Sequence, residues 1–295
     1  MNNFVDIKAV DTLRRFMLER AHLRGEWVHL DTTWQEMLSR TAYPPFVKQV
    51  LGEALTAAVL LSATIKHSGS LILQIRGDGP IHLLVVQATP QGTVRGLARW
   101  SSEANATTLN AVFGDNAQMA ITLEAPNRRE RYQSLIPLEG DTLAQALEAY
   151  FSRSEQLPTR LWLTANEHTA AGMLLQRLPR EHTSDENWER ASLLLDTLTP
   201  NELMELEAET LLYRLFHEEE PRLFDPSPIH FHCDCSRERV ETLVQSLGQE
   251  EAHSIVEEQG KIQITCEFCN ASYTLDAIEV TQLFRETIPG NDSVH

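Results

Sequence analysis

The first 232 residues of this 295-residue chain contain no cysteine. That absence excludes a disulfide framework for most of the protein and confines thiol chemistry to its last quarter. Positive charge is also scarce, with 25 Lys plus Arg against 42 Asp plus Glu and a formal net charge of -17. A field of that sign repels phosphate backbones and argues against a nucleic-acid partner. No uninterrupted apolar run is long enough to cross a bilayer, so no membrane partner is expected. The opening Met1-Asn2-Asn3-Phe4-Val5-Asp6 has neither the basic start nor the apolar run of a secretory signal, and a cytoplasmic location is the expectation. No Ser/His/Asp signature is present. The glycines of Gly77-Asp78-Gly79-Pro80 lack the lysine and following helix of a phosphate-binding loop.

What is present suffices for a real core: 42% of residues are hydrophobic, and the length suits two domains better than one. Leu13, Phe16 and Met17 recur at helical spacing and predict a helix over residues 11–20. A longer apolar helix is predicted over 46–67, opened by Pro44 and Pro45 and broken by Ser68-Gly69-Ser70. Segments 71–76 and 81–87 read as a hairpin around Gly77-Asp78-Gly79-Pro80, whose glycines would supply permissive backbone angles. Further strands are expected at 93–98 and 120–123. A helix should follow Asp141, with Leu143, Leu147 and Tyr150 on one face. The fold class is therefore α+β, a mixed sheet and helix core over residues 1–178.

Residues 179–230 have a different character. Thr183-Ser184-Asp185-Glu186 and Thr199-Pro200-Asn201-Glu202 are capping boxes that start two amphipathic helices. Trp188, Ala191, Leu194, Leu195 and Leu198 share a face of the first; Leu203, Leu206, Leu212, Leu215 and Phe216 repeat along the second. Such helices must dock on something apolar. His217-Glu218-Glu219-Glu220 reads as a solvated helix end, and Pro221, Pro226 and Pro228 mark a boundary near residue 230.

The four cysteines stand as Cys233-Asp234-Cys235 and Cys266-Glu267-Phe268-Cys269. Two close pairs separated by a segment that can fold back give the four thiolates of a tetrahedral zinc site. The tail, residues 231–295, is small enough to need such a staple. His230 and His232 lie beside the first pair, but four thiols already complete the set. A catalytic zinc is disfavoured because no position is left for water. A deaminase would need Pro before Cys266, where Thr265 stands. A thiol oxidoreductase would need its CxxC at a helix start, whereas 261–265 and 272–275 flank the pair like a zinc-knuckle hairpin. Zinc and disulfides exclude each other, since a tetrathiolate cage spaces its sulfurs about 3.8 Å apart and a disulfide about 2.05 Å. A closed structural zinc and an oxidisable switch both fit these residues.

The chain resembles the 33 kDa chaperonins, redox-regulated holdases of the bacterial cytosol, nearly end to end. The likeness rests on Phe231-His232-Cys233-Asp234-Cys235-Ser236-Arg237-Glu238-Arg239, on Cys266-Glu267-Phe268-Cys269-Asn270 with Tyr273, and on Leu215-Phe216-His217-Glu218-Glu219. Arg76-Gly77-Asp78-Gly79-Pro80 and Ser154-Glu155-Gln156-Leu157-Pro158-Thr159 support it. The resemblance implies a binding protein rather than an enzyme: a reduced, inactive monomer with one zinc ion held by Cys233, Cys235, Cys266 and Cys269. Under oxidative unfolding stress, it further implies disulfides Cys233–Cys235 and Cys266–Cys269, loss of zinc, and disorder of the tail and linker. The activated form would expose apolar surface, dimerise, hold unfolding client proteins without ATP, and pass them to ATP-driven foldase chaperones.

Overall fold

The computed structural model describes residues 11–101, 108–126, 131–179 and 185–285, which divide into two units, Met1–His232 and Cys233–His295. The first unit opens with strands β1 (Thr12–Leu18) and β2 (Leu23–Leu30) and helices α1 (Thr32–Leu38) and α2 (Pro45–Thr64). Strands β3 (Ser70–Arg76), β4 (Ile81–Ala88) and β5 (Thr93–Trp100), helix α3 (Leu109–Phe113), and strands β6 (Gln118–Glu124) and β7 (Arg131–Pro137) follow. Next come α4 (Leu143–Tyr150), β8 (Thr159–Ala165) and β9 (Ala170–Arg177). Helices α5 (Asp185–Leu195), α6 (Pro200–Glu205) and α7 (Ala208–Phe216) and the two-residue strands β10 (Arg222–Leu223), β11 (Ser227–Pro228) and β12 (His230–Phe231) complete it.

The strands form two sheets, one ordered β10-β1-β2-β9-β8 with β11 also on β1, the other β12-β5-β4-β3-β6-β7. The α+β class expected from the sequence is the class observed. Helix α2 lies between the sheets and packs on β2, β8 and β9 of one and on β3, β4 and β5 of the other. By length and composition it could cross a membrane, yet 72% of its most apolar window is buried inside the protein. Pro45 occupies its first turn, where a missing N–H costs nothing. Gly52 permits the close approach to the first sheet, since a Cβ there would stand 2.4 Å from that of Ala165.

The first sheet is buried on both faces, and this explains the largest departure from the sequence reading. Residues 12–18 are a strand, not a helix. Leu13 enters the α2 core while Phe16 and Leu18 enter a second core on the opposite face. A strand that feeds two cores places apolar residues at mixed spacing, which imitates a helical repeat. Gly25 sits opposite Phe16 in the ladder, and any Cβ there would collide with the ring at 2.1 Å.

The second core is where the amphipathic helices dock. Leu195 of α5, Leu203 of α6, and Leu211, Leu212, Leu215 and Phe216 of α7 pack with Phe16, Leu23, Trp27, Met173 and Leu175 of the sheet. Thr199 and Glu202 form the expected capping box; Thr183 and Ser184 of the other box lie outside the described residues. The second helix differs from expectation because Leu206 is extended (φ -93°, ψ 136°) and splits it into α6 and α7. The next helical positions after Leu206 are Glu209 and Thr210, so the apolar stripe fails there. Glu219 is not a solvated helix end: it is buried and ion-paired with Arg190.

Two smaller differences have local causes. Helix α2 stops at Thr64, with Ile65 already extended. The hairpin β3–β4 pairs as expected, but Gly77 and Gly79 are absent from the positive-φ glycines. They serve close approach, since a Cβ on Gly77 would lie 1.9 Å from the Phe113 carbonyl oxygen and the Gly79 N–H donates to that oxygen at 2.8 Å.

Glu26 of β2 is 3% exposed, and its Oε2 has no hydrogen-bond partner among the described residues. Burial pushes its carboxyl up to about 7 from 4.5, with Arg24 and Arg15 offsetting only part of the effect. A carboxyl raised in the folded state contributes stability that is fully present below the unfolded value and is lost as pH rises through the folded one. Glu26→Gln should therefore be near neutral near pH 4.5 and stabilise the protein by on the order of 3 kcal/mol at pH 8. Urea unfolding at the two pH values measures this, and an equal effect at both would contradict it.

Candidate metal centre

The second unit contains helices α8 (Arg237–Leu247) and α9 (Gln249–Gln259), strands β13 (Lys261–Thr265) and β14 (Ser272–Asp276), and helix α10 (Ala277–Arg285). Among the described residues its core consists of Val240, Val244, Ala252, Val256, Ile262, Leu275 and Val280, with no large aromatic fully buried. A core of that size supplies little net stability once chain entropy is opposed to it. Arg237 adds a polar tie between helices, reaching Glu241 at 2.9 Å and Glu279 of α10 at 2.5 Å.

Local backbone chemistry places each thiol. Strands β13 and β14 pair antiparallel from Lys261↔Asp276 to Thr265↔Ser272, so Cys266 and Cys269 occupy the connecting turn. The turn closes through the Asn270 N–H donating to the Cys266 carbonyl at 2.7 Å, and the Cys266 N–H donating to that of Ala271 at 2.9 Å. Asn270 adopts φ 57°, a left-handed conformation that Asn tolerates better than most residues. On the other side, Ser236 caps α8 by accepting from the Arg239 N–H at 3.3 Å. Cys235 therefore stands at a helix N-terminus, where exposed N–H groups favour a thiolate.

These two segments bring all four sulfurs within 4.8 Å of one another. Cys233 and Cys266 are 3.6 Å apart, and Cys235 and Cys269 3.2 Å. Those separations are close to the roughly 3.8 Å edge of a tetrathiolate cage around zinc. The four cysteines could hold a metal ion, and the unit is compatible with a small zinc-binding domain. All four are half-buried and none is in a disulfide. His230 and His232 are not in the cluster; their N–H groups bond to Gly92 and Val94 carbonyls at the edge of the second sheet.

Tyr273, named in the sequence only as part of the motif, takes a role at the cluster that spacing did not indicate. The Tyr273 hydroxyl donates to the Cys235 sulfur at 3.2 Å. Burial opposes ionisation of Cys235, but hydrogen bonds from Tyr273 and the other three thiols outweigh it and bring the group down to about 7. The bond to Cys235 pushes Tyr273 up to about 12. Burial first, then its neighbouring thiols, push Cys269 up to about 12. A tyrosine in an alternating strand carries no signal of this role, because its partner is 38 residues away in the chain.

Comparison with known proteins bears on this arrangement. A family model described as Hsp33 protein matches residues 11–276. The 33 kDa chaperonin of Nitrosococcus oceani is 48% identical over 278 residues, covering 94% of this chain and 96% of its own. That of Chromobacterium violaceum is 44% identical over 275 residues, covering 93% and 94%. The crystal structure of the 33 kDa chaperonin from Thermotoga maritima shares the fold, with a TM-score of 0.80 at 24% identity over 94% of this chain and 98% of that one. On a family match across nearly the whole described length and relatives of the same extent, this chain belongs to the Hsp33 family of heat-shock chaperones.

Proposed function

We propose that the protein is a redox-regulated holdase, a binding protein rather than an enzyme, whose sensor is the four-cysteine cluster and whose response element is the helical layer over the first sheet. The observation that carries this reading is the convergence of four thiols in a unit with too small a core to stand by itself. Cys233, Cys235, Cys266 and Cys269 hold one zinc ion in the reduced protein. When bound, zinc supplies a fourfold crosslink whose binding energy, of order 10 to 16 kcal/mol in small zinc modules, is also folding energy.

Oxidation acts on the chain's own sulfurs. Two equivalents of a peroxide accept four electrons and four protons from the four thiols and become water and the corresponding alcohol or water. Cys233 joins Cys235, and Cys266 joins Cys269, each by one new S–S bond; this pairing follows the family resemblance. No thiolate then remains to hold an ion, and the second unit loses its staple. Residues 179–230 act as the linker in this scheme, between a core over 1–178 and a switch domain over 231–295. As that segment loosens, apolar side chains of α5 to α7 and the sheet beneath them become available to unfolding clients. The reduced form is a cytoplasmic monomer; the oxidised form dimerises, holds clients without ATP and yields them to ATP-driven foldases.

Peroxide at mildly raised temperature should release about one zinc per chain and switch on suppression of a client's aggregation, with dithiothreitol reversing both. Full zinc occupancy in the active protein would refute the mechanism. Replacing Cys266 and Cys269 with Ser should abolish tight metal binding and leave the second unit disordered without oxidant, as read by metal analysis and amide NMR. Tyr273→Phe removes a donor behind Cys235 and should weaken metal affinity about tenfold, measured by competition with a chelating dye; an unchanged affinity would deny the hydroxyl that role.

A further inference from the structure

This inference rests on the holdase reading and names the chemistry of the segments held. Charge is unevenly divided along the chain. Residues 1–184 carry 18 Lys plus Arg and 18 Asp plus Glu, whereas residues 185–232 carry 3 against 12. The helical layer is thus a strongly acidic cover on an electrically balanced body. Among the described residues, four arginines of the body reach acids of that cover. Arg14 meets Glu209 at 3.0 Å, Arg20 meets Glu220 at 2.8 Å, Arg160 meets Asp196 at 2.7 Å and Arg177 meets Asp185 at 2.6 Å. One pair has the opposite sense, Arg222 to Glu19 at 3.2 Å.

Strand alternation places three of these arginines on the covered face. Arg14 shares strand parity with Phe16 and Leu18, Arg160 with Trp162, and Arg177 with Met173 and Leu175, all of which belong to the second core. The Arg160 guanidinium also lies 5.0 Å from the centre of the Trp162 ring. Arg14 stands on β1, Arg160 on the outermost strand β8, and Arg177 at the end of β9. The apolar face therefore has a cationic rim that the chain's own acids neutralise.

We infer that this face, once uncovered, selects client segments that combine an apolar stripe with flanking carboxylates, the chemistry the helical layer itself presents. Uncovering takes Glu209, Asp196 and Asp185 away from Arg14, Arg160 and Arg177, while Glu148 of α4 stays 3.2 Å from Arg160; guanidinium groups held beside an apolar surface favour an incoming carboxylate and repel an ammonium. The net charge of -17 on the whole chain opposes an acidic segment at long range, so the preference is one of contact, carried by the short-range pairs.

The test uses the full chain activated with peroxide and three fluorescent peptides sharing one leucine stripe, with Glu, Gln or Lys at the flanking positions. Anisotropy should show the Glu peptide binding about tenfold tighter than the Gln peptide, the sum expected of a few partly exposed pairs. The Lys peptide should bind weakest, and high salt should compress all three toward the Gln value. In Arg160→Gln/Arg177→Gln the Glu preference should shrink to about twofold while the Gln peptide, which reports on an intact face, binds as before. Equal affinities on a chain that suppresses aggregation would overturn the inference and leave the holdase reading standing. Dimers that suppress aggregation but bind no peptide would assign the face to a second copy's helical layer and overturn it as well. Loss of both peptide binding and aggregation suppression would overturn both readings.

Discussion

A sheet with two apolar faces cannot leave one of them in water, and the first sheet of this protein is such a sheet. One face meets α2; the other, with Phe16, Leu23, Trp27, Met173 and Leu175, is sealed by α5 to α7. Each Leu or Phe so buried is worth about 1.5–3 kcal/mol before chain entropy is counted. The ion pairs along the margin are worth roughly 0.2–1 kcal/mol each. The apolar seal therefore decides whether the cover stays, and the charges decide how it is aligned. Helices of six to eleven residues have little stability without that seal.

The second unit solves the opposite problem. Among the described residues its seven buried apolar side chains are small or medium in size, so packing by itself supplies little net stability there. The sulfurs are gathered by two stiff local devices, a capped helix start after Cys235 and a left-handed Asn270 closing the turn around Cys266 and Cys269. Sulfur is the one ligand type that both binds a soft-tolerant ion tightly and can be removed from service by two-electron oxidation. The thiols thus stand in the unit with the smallest apolar core of the chain's described residues.

Much of this was legible in the residues. The Cys spacing, the hairpin around Gly77-Asp78-Gly79-Pro80, helix α2 and the Thr199 box are local patterns, and local patterns survive translation into structure. The strands of the first sheet were not legible for a definite reason. Residues 170–176 are buried without a break, and β1 alternates between two cores, so neither shows the polar-apolar alternation that announces a half-exposed strand. Glu219 and Tyr273 were named only as motif residues, and their contacts were not legible because each is defined by a partner far along the chain, Arg190 and Cys235.

The sequence by itself determined the inventory: four thiols in two close pairs, an acidic balance, amphipathic segments that require a surface, and an α+β core. Tertiary structure alone decided what those segments cover, which arginines their acids meet, and that the four sulfurs converge within 4.8 Å. The division has a physical basis. Spacing along the chain fixes periodicity and chelate size over a few residues, whereas burial on a second face and charge pairing across a sheet depend on strands distant in sequence becoming neighbours in space.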